Sequence, residues 1–467
     1  MTRLRARLLA LWLAVCPGCA VGPDYQRPEL ATPPLWSAQA GQPLDSADAT
    51  AALAAWWERF GDAKLSALVE RAARESIELR LADAQVRERL ALRGVAGGAL
   101  GPEAEARGEA SWNTGDAPDS SLAALTLLWQ LDVFGGLRRG LEAANADADA
   151  AAENRRAVLL ALVGSVATTY VELRGLDRRL DTVRLNLAAQ QETRALTEAQ
   201  LRAGLASDLD VERSRALVSV TEAQIPPLEN ARVAARNRLA VLLGAAPGSL
   251  DAELDDAAAP IPHAPAELVV GVPADLLRRR PDLARAEREL AAATARIGEA
   301  TAEMYPRFTL VGSVGLRSED IAKLVTGGGE FASIGPSITW PVFASGRIRA
   351  NVRATNARQE QALARYELTL LSALEEAENS FDRHAREQLR RRSLEAAVES
   401  NREAVELARQ LYANGLGGFL DVLIAERSLL ETESQLVDSE TAVSTSLVAV
   451  YVALGGGWQQ AEALRLP

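Results

Sequence analysis

The chain has 467 residues, of which 48% are hydrophobic, 24% charged and only 4% aromatic. That is chain enough for two or three ordinary domains or one elongated architecture, and the scarcity of aromatics favours helical packing by Ala and Leu. The formal charge of −12, from 51 basic against 63 acidic residues, excludes a generic nucleic-acid binder, whose phosphate contacts need a basic surface. Two histidines (His263, His384) and two cysteines (Cys16, Cys19) exclude a histidine-rich metal site, a zinc ribbon and a disulfide framework.

Arg3, Arg5 and Arg7 precede an apolar run over residues 8–15, too short to span a bilayer. This pattern predicts a signal peptide over 1–18. Cys16-Pro17-Gly18-Cys19 follows, and a small residue before a Cys at this point predicts cleavage before Cys19 and acylation of its thiol. The alternative is an ordinary cysteine near an ordinary cleavage site. Removing 1–18 takes three Arg from the 51 basic residues, leaving 48 against 63 and a charge of −15. Acyl chains on Cys19 would hold the protein at a membrane without spanning it. Residues 19–55 then carry Pro23, Pro28, Pro33, Pro34 and Pro43 without periodicity and read as a lipid-anchored strap, with order expected from Trp56-Trp57.

From there the chain repeats itself. Residues 204–211 match 415–422, and Trp129 matches Trp340, at an offset of 211; Leu79 matches Leu283 and Pro102 matches Pro306 at an offset of 204. The spacing predicts two equivalent halves, 56–250 and 272–457, joined by a Pro-rich acidic linker over 251–271 and followed by a tail over 458–467. Each half reads as helix, strand, strand, helix, helix.

The helical parts are long. Residues 141–201 contain no Pro and only Gly164 and Gly175, enough for ~90 Å of helix. Leu173, Leu176, Leu180, Val183 and Leu187 form a 3-4-3-4 seam, and Val422, Leu429, Leu436, Val443 and Val450 recur every seven residues. Glu426, Glu433 and Glu440 follow the same period. They read either as a solvated face or as an acidic stripe lining a wet conduit.

The strand signals lie within 103–134 and 306–343. Glu103, Glu105, Arg107 and Glu109 alternate with small residues; Leu125, Leu127, Trp129, Leu131 and Val133 share one face. The second half alternates Phe308, Leu310, Gly312, Val314 and Leu316, then Ile334, Pro336, Ile338, Trp340 and Val342. Period two fits a half-buried soluble strand and also a barrel strand with one lipid face and one wet face. Trp112, Trp129, Phe308, Trp340 and Phe343, with Tyr305 and Phe331, fall near the strand ends, as membrane-interface aromatics would. Four strands cannot close a membrane barrel, which needs at least ~8, and lipid tolerates no open edges. If these strands span, the chain must oligomerise.

These features together resemble a known family. Cys19-Ala-Val-Gly-Pro-Asp-Tyr-Gln-Arg-Pro28, Trp57-Glu-Arg-Phe-Gly-Asp62, Gln224-Ile-Pro-Pro-Leu-Glu229, Pro273-Ala-Asp-Leu-Leu-Arg-Arg-Arg-Pro-Asp-Leu283, Trp340-Pro-Val-Phe343 and Leu454-Gly-Gly-Gly-Trp458 are similar to the TolC-like outer-membrane factors of tripartite efflux systems, in their OprM and NodT lipoprotein branch. The resemblance covers nearly the whole chain. It departs at Cys16-Pro17 and at Ser76-Ile77. It implies a mainly α fold with a transmembrane β part. Four strands per chain would join in a trimeric twelve-stranded outer-membrane β-barrel, continued by a long α-helical coiled-coil barrel across the periplasm. It implies an exit duct that works with a periplasmic adaptor and an inner-membrane pump of the resistance-nodulation-division type. Ala20 after Cys19 implies sorting to the outer membrane of a Gram-negative cell.

The resemblance also gives roles to the two glycine-centred turns, 202–211 and 413–422. Gly204 and Gly415 suit left-handed helix caps, and Asp208, Asp210 and Asp421 suit helix N-termini, so capping alone explains much of the pattern. By resemblance the same turns form the periplasmic tips. Gly204, Leu205, Ser207, Asp208, Gly415, Leu416, Gly418 and Phe419 would dock the adaptor, while Asp210 and Asp421 would ring the aperture. No enzyme pattern competes: the carboxylates sit on helix faces, and Gly327-Gly328-Gly329 lies in a hairpin loop. His263 is expected exposed in the linker, and His384 on a helix surface beside Arg383 and Arg386. No cofactor is expected beyond a covalent lipid on Cys19. A pore-less coiled-coil tether and a duct for protein secretion are the alternatives.

Overall fold

The structure, a computed structural model of the chain, describes residues 20–29, 33, 36, 53–114, 118–256, 259–263, 279–327 and 329–463. Cys16, Cys19, the signal peptide, residues 464–467 and most of the strap and of the second half's opening motif lie outside them. The chain forms two compact units, one from residues 1–30, 84–154 and 282–369, the other from 31–83, 155–281 and 370–467.

The first unit holds a four-stranded antiparallel sheet in the order β1 (Glu103–Ser111), β2 (Ser120–Leu131), β3 (Arg307–Ser318), β4 (Gly329–Thr339). The two hairpins come from the two halves of the chain and meet along β2 and β3. Pairing fixes the faces. Leu125 opposes Val314, Leu127 opposes Gly312, Leu131 opposes Phe308, and Phe308 opposes Ile338. This face is apolar and uncovered: Leu125, Val314, Ile334 and Ile338 are 50%, 54%, 76% and 64% exposed. The other face carries Glu103, Glu105, Arg107, Glu109, Thr126, Gln130, Thr309, Ser313 and Ser333, interrupted by Leu122, Leu128, Val311 and Phe331. Arg107 pairs with Glu109 at 2.9 Å, and the Ser313 and Ser333 hydroxyls share a hydrogen bond at 2.8 Å. Among the described residues the outer edges of β1 and β4 have no partner strand.

The aromatics divide unevenly. Trp129, Phe308, Trp340 and Phe343 gather at the end where the sheet joins its helices, with Phe134 stacked on Tyr305 at 4.6 Å. Trp112, 70% exposed, stands at the loop end. The duplication is visible in two indoles: Trp129 Nε1 donates to the Leu100 carbonyl at 2.9 Å and Trp340 Nε1 to the Met304 carbonyl at 3.1 Å.

Residues 20–29 are anchored, although their sequence reads as structureless. The Val21 N–H donates to the Phe134 carbonyl at 3.0 Å, Asp24 pairs with the buried Arg139 at 2.6 Å, and Tyr25 donates to Glu287 at 3.2 Å. Gly22, at φ 95, lies against Gly298 with no room for a Cβ. Order therefore begins well before Trp56.

In the second unit, the 3-10 turn Trp56–Phe60 leads into α1 (Ala63–Glu75), N-capped by Asp62, which accepts from the Lys64 and Leu65 N–H groups. α2 (Ile77–Gly98) runs on to the sheet. α3 (Gly136–Arg202) and α7 (Arg347–Ala413) are 67 residues each. α3 returns through α4 (Asp208–Glu222) and α5 (Ile225–Leu242), broken at Pro226-Pro227, where the missing N–H groups end the ladder. α6 (Pro281–Ala302), which apart from Pro281 belongs to the first unit, opens the second half, and α7 returns through α8 (Phe419–Ala453) in the second. A short α9 (Trp458–Ala463) follows. Within this unit α3 and α8 pack antiparallel with glycine at the contact: a Cβ on Gly164 or Gly175 would strike Val452 or Thr441. α3 and α8 are apolar and long enough to cross a membrane, but 56% of each apolar window is already buried against protein. The core centres on Trp56, Trp57 and Tyr451, with Trp56 and Tyr451 stacked at 5.3 Å. Gly455 and Gly457, at φ 70 and 103, let the chain turn close against Arg280 and Trp56, which accounts for the glycine run before Trp458.

Candidate functional site

Two helix reversals and the seam behind them hold most of the predicted site residues. At the first, Gly204 takes φ 75, the Leu205 N–H reaches back to the Gln200 carbonyl at 2.8 Å and the Gly204 N–H to Leu201 at 2.9 Å. At the second, Gly415 takes φ 71, with Leu416 bonded to Leu411 at 2.9 Å and Gly415 to Tyr412 at 3.0 Å. Both are Schellman caps, which need a residue without Cβ strain at the left-handed position. Ser207 then caps α4: the Asp210 N–H donates to Ser207 Oγ, and the Asp210 carboxylate accepts from the Ser207 N–H at 3.2 Å and hydroxyl at 2.7 Å. Gly418 has no side chain, so only the return half of that box survives there, with Asp421 accepting from the Gly418 N–H at 3.3 Å.

Both aspartates are thus fixed at helix N-termini, where negative charge is favoured. Asp208 lies with Asp210 in the first turn of α4. Leu205 and Leu416 are each 77% exposed, and Leu209, Leu420 and Ile424 extend the apolar surface. Phe419, expected on the outside of the tip, is buried. It packs on Tyr412 with ring centroids 5.5 Å apart and on Val422, closing the turn from within. Burial raises the Tyr412 pKa, and the nearby Asp210 charge adds to it.

Behind the tips, Glu426 and Glu433 prove to be neither a solvated face nor an open stripe within the chain. Glu426, 4% exposed, accepts from Arg409 at 2.7 and 3.0 Å and from Thr193 Oγ1 at 2.6 Å, while Arg409 also donates to the Ala189 carbonyl. Seven residues along, Glu433 accepts from Arg402 at 2.7 and 3.0 Å and from Asn186 at 2.7 Å. Each rung joins α3, α7 and α8. At the third, α7 supplies Glu395 where an Arg would fall, and among the described residues Glu440 has neither a hydrogen bond nor an ion pair. Burial raises its pKa and Glu395 adds to the rise, against His263, Arg178 and Arg391. Arg409, Arg402, Thr193 and Asn186 escaped the sequence reading, yet their seven-residue spacing matches that of the glutamates.

His384 also departs from expectation. It is 4% exposed, not a surface residue. Ser446 Oγ donates to the Val443 carbonyl, so it accepts from Nδ1 at 3.0 Å, and Gln388 donates to Nε2 at 2.8 Å. These partners assign a neutral ring with its proton on Nδ1. Burial lowers its pKa. His263 is exposed, as expected.

Comparison with known proteins decides what this architecture belongs to. Residues 68–245 and 272–456 both match the family described as outer membrane efflux protein. The chain belongs to the outer membrane efflux protein family. One matched segment falls within each half of the internal repeat. The chain is similar to nodulation protein T of Rhizobium leguminosarum bv. viciae (34% identical, covering 98% of this chain and 94% of the relative). It is likewise similar to outer membrane protein OprJ of Pseudomonas aeruginosa (33% identical, covering 98% and 96%). The solved outer-membrane channel OprN superposes with a TM-score of 0.84 at 35% identity, covering 94% of this chain and all of that one. The efflux protein described here is therefore an outer-membrane channel, the exit duct of a tripartite efflux system, passively conducting substrates from the periplasm outward.

Proposed function

We propose that three copies of the efflux protein close a twelve-stranded barrel, β1 of one copy pairing with β4 of the next, and that their long helices continue it as a tunnel across the periplasm. One observation carries this: the sheet exposes a continuous apolar face, a polar face and two open edges at once. Strands of 9 to 12 residues suit a bilayer crossing. Lipid would cover the apolar face, and closure would remove the edges that lipid forbids. The polar face would line the water-filled lumen. Trp112, Trp129, Phe308, Trp340 and Phe343 would mark the interfaces, and acyl chains on Cys19 would tether the chain to the outer membrane of a Gram-negative cell.

Transport through such a duct needs no covalent chemistry and no cofactor beyond that lipid. The exposed tip surface around Gly204, Leu205, Ser207, Asp208, Gly415, Leu416 and Gly418 would receive a periplasmic adaptor linked to an inner-membrane pump of the resistance-nodulation-division type. Asp210 and Asp421, tripled by symmetry, would ring the aperture and favour cations. Opening would untwist the inner helices under adaptor contact.

Negative-stain imaging of the detergent-purified protein tests the assembly: a hollow cylinder with a three-fold end view is expected, and compact monomers or solid rods would refute it. The gate has its own test. Replacing Asp210 and Asp421 by Ala should raise basal conductance in a planar bilayer; unchanged conductance removes both from the aperture.

A further inference from the structure

The two elbows where strand turns into long helix are equivalent by the repeat, yet among the described residues only one is covered by its own chain. At an offset of 211, Trp129, Asp132, Gly135 and Arg138 correspond to Trp340, Phe343, Gly346 and Arg349. Gly135 and Gly346 take the same left-handed conformation, φ 78 and 81. At the first elbow the chain's own N-terminal segment lies so close that a Cβ on Gly135 would strike Ala20. The cation there is neutralised: Arg138 Nε donates to Asp132 Oδ2 at 3.2 Å.

At the second elbow both features are missing. Nothing lies within 4 Å of the corresponding Cβ position on Gly346. Phe343 takes the sequence position of Asp132 and offers no carboxylate, and Arg349 has no ion pair among the described residues, while its neighbour Arg347 reaches Glu303 at 3.9 Å. Val342 and Phe343 are 79% and 87% exposed. Met304, Trp340, Val342, Phe343, Ile348 and Arg349 line a cavity of about 340 Å³. An apolar hollow of that size with a single cation on its wall suits a ligand with an apolar body and one anionic group.

We propose that this elbow is a binding site for one glycerophospholipid, its acyl chain in the hollow between Trp340 and Phe343 and its phosphate on Arg349. The position supports a lipid over a protein segment. Trp340 and Val342 continue the even-numbered series Ala332, Ile334, Pro336 and Ile338 of the apolar face. The inference rests on the reading that this face meets lipid; its helix-side end then lies in the periplasmic leaflet, where phospholipid is the available amphiphile. An exposed guanidinium prefers an anionic headgroup, because a zwitterionic one brings its own cation.

The test uses the full chain in phosphatidylcholine vesicles containing brominated phosphatidylglycerol or brominated phosphatidylcholine at equal mole fraction. The Trp340 signal is the difference between the wild type and Trp340→Phe. The brominated phosphatidylglycerol should quench it preferentially, by up to about five-fold, the range an exposed ion pair supplies. Arg349→Gln should abolish the preference. Phe343→Asp, which installs the first elbow's carboxylate, should do the same, whereas Arg138→Gln should leave it intact. Equal quenching by the two lipids in the wild type, or a preference that survives Arg349→Gln, overturns the site. If neither lipid quenches any tryptophan, the sheet does not face lipid, and the barrel reading fails instead.

Discussion

Arg409→Met probes the seam behind the tips most directly. Glu426 is 4% exposed, and its partners are Arg409 and Thr193. Removing the arginine leaves a buried carboxylate held by one hydroxyl. Breaking a buried pair in this way costs about 3–5 kcal/mol, and the surviving Thr193 hydrogen bond puts this case near the lower end. About 3 kcal/mol is roughly a hundred-fold in an opening equilibrium. Hydrogen exchange of the amides in 189–197 and 409–426 reads that opening. Arg402→Met is the internal comparison, because Arg402 is 63% exposed and the same loss there should cost only about 1 kcal/mol. The double variant Arg409→Met, Glu426→Leu should recover most of the protection, since replacing both partners of a buried pair with apolar groups is often neutral. Wild-type exchange in Arg409→Met, or a double variant as unstable as the sum of its parts, would refute the reasoning.

Gly175→Val should lower the melting temperature by forcing α3 away from Thr441, at about 1–3 kcal/mol, and Thr441→Gly should partly restore it; a neutral Gly175→Val would mean the helices do not meet there. Gly415→Ala places a Cβ at φ 71 and should cost about 1–2 kcal/mol in thermal unfolding, whereas Gly335→Ala, in open space, should cost less. His384 and Glu440 should give opposite pH slopes. The folded pKa of His384 lies below 6.5, so the unfolded chain takes up the proton first and stability is lost as pH falls through the window below 6.5; His384→Gln should flatten that slope. The folded pKa of Glu440 lies above 4.5, so the native state holds the proton longer and stability is lost as pH rises through the window above 4.5; a Glu440→Gln melt that keeps this slope would exclude the residue as its source.

Features set by local chemistry were legible in the sequence. Strand alternation marked the apolar and polar faces, and the pairing register brings Leu125, Val314 and Ala332 together on one side. Glycine followed by an acidic residue marked both reversals, because a left-handed cap and a charged helix start depend only on nearby residues. Features that depend on the partner surface were not legible. Gly164 and Gly175 carried no assigned role in the sequence and prove to lie where α3 packs on α8, with no room for a Cβ. The heptad of Glu426 and Glu433 was plain, but one helix cannot say what faces it, and Arg409 and Arg402 answer from another. His384 sits among arginines in sequence, yet its own face turns to Ser446. Residues 20–29 dock through a backbone bond, a glycine contact and two isolated side chains, Asp24 and Tyr25, which leave no periodicity to read.

The duplication shows which of these features bear divergence. Three pairs of left-handed glycines keep the 211-residue offset: Gly135 with Gly346, Gly204 with Gly415, and Gly244 with Gly455. The first pair stands just before a long helix and the other two just after a helix end, so each sets where the chain turns. Side chains between them are not held in common. In the first half the buried Arg174 and the partly buried Arg232 converge on the buried Asp177, at 3.1 and 2.6 Å. The corresponding positions in the second half are Ala385, Val443 and Gln388, the last of which serves His384 instead. Burial raises the Asp177 pKa even between two guanidiniums, so this ionic node is costly to desolvate and gains from both partners at once. An apolar root needs no such pairing. A backbone reversal admits few residues, whereas a helix interior accepts any set that fills space and satisfies its polar atoms. The two halves therefore keep one topology while building different hairpin roots and different elbows, and those differences can give one copy of the repeat a role the other lacks.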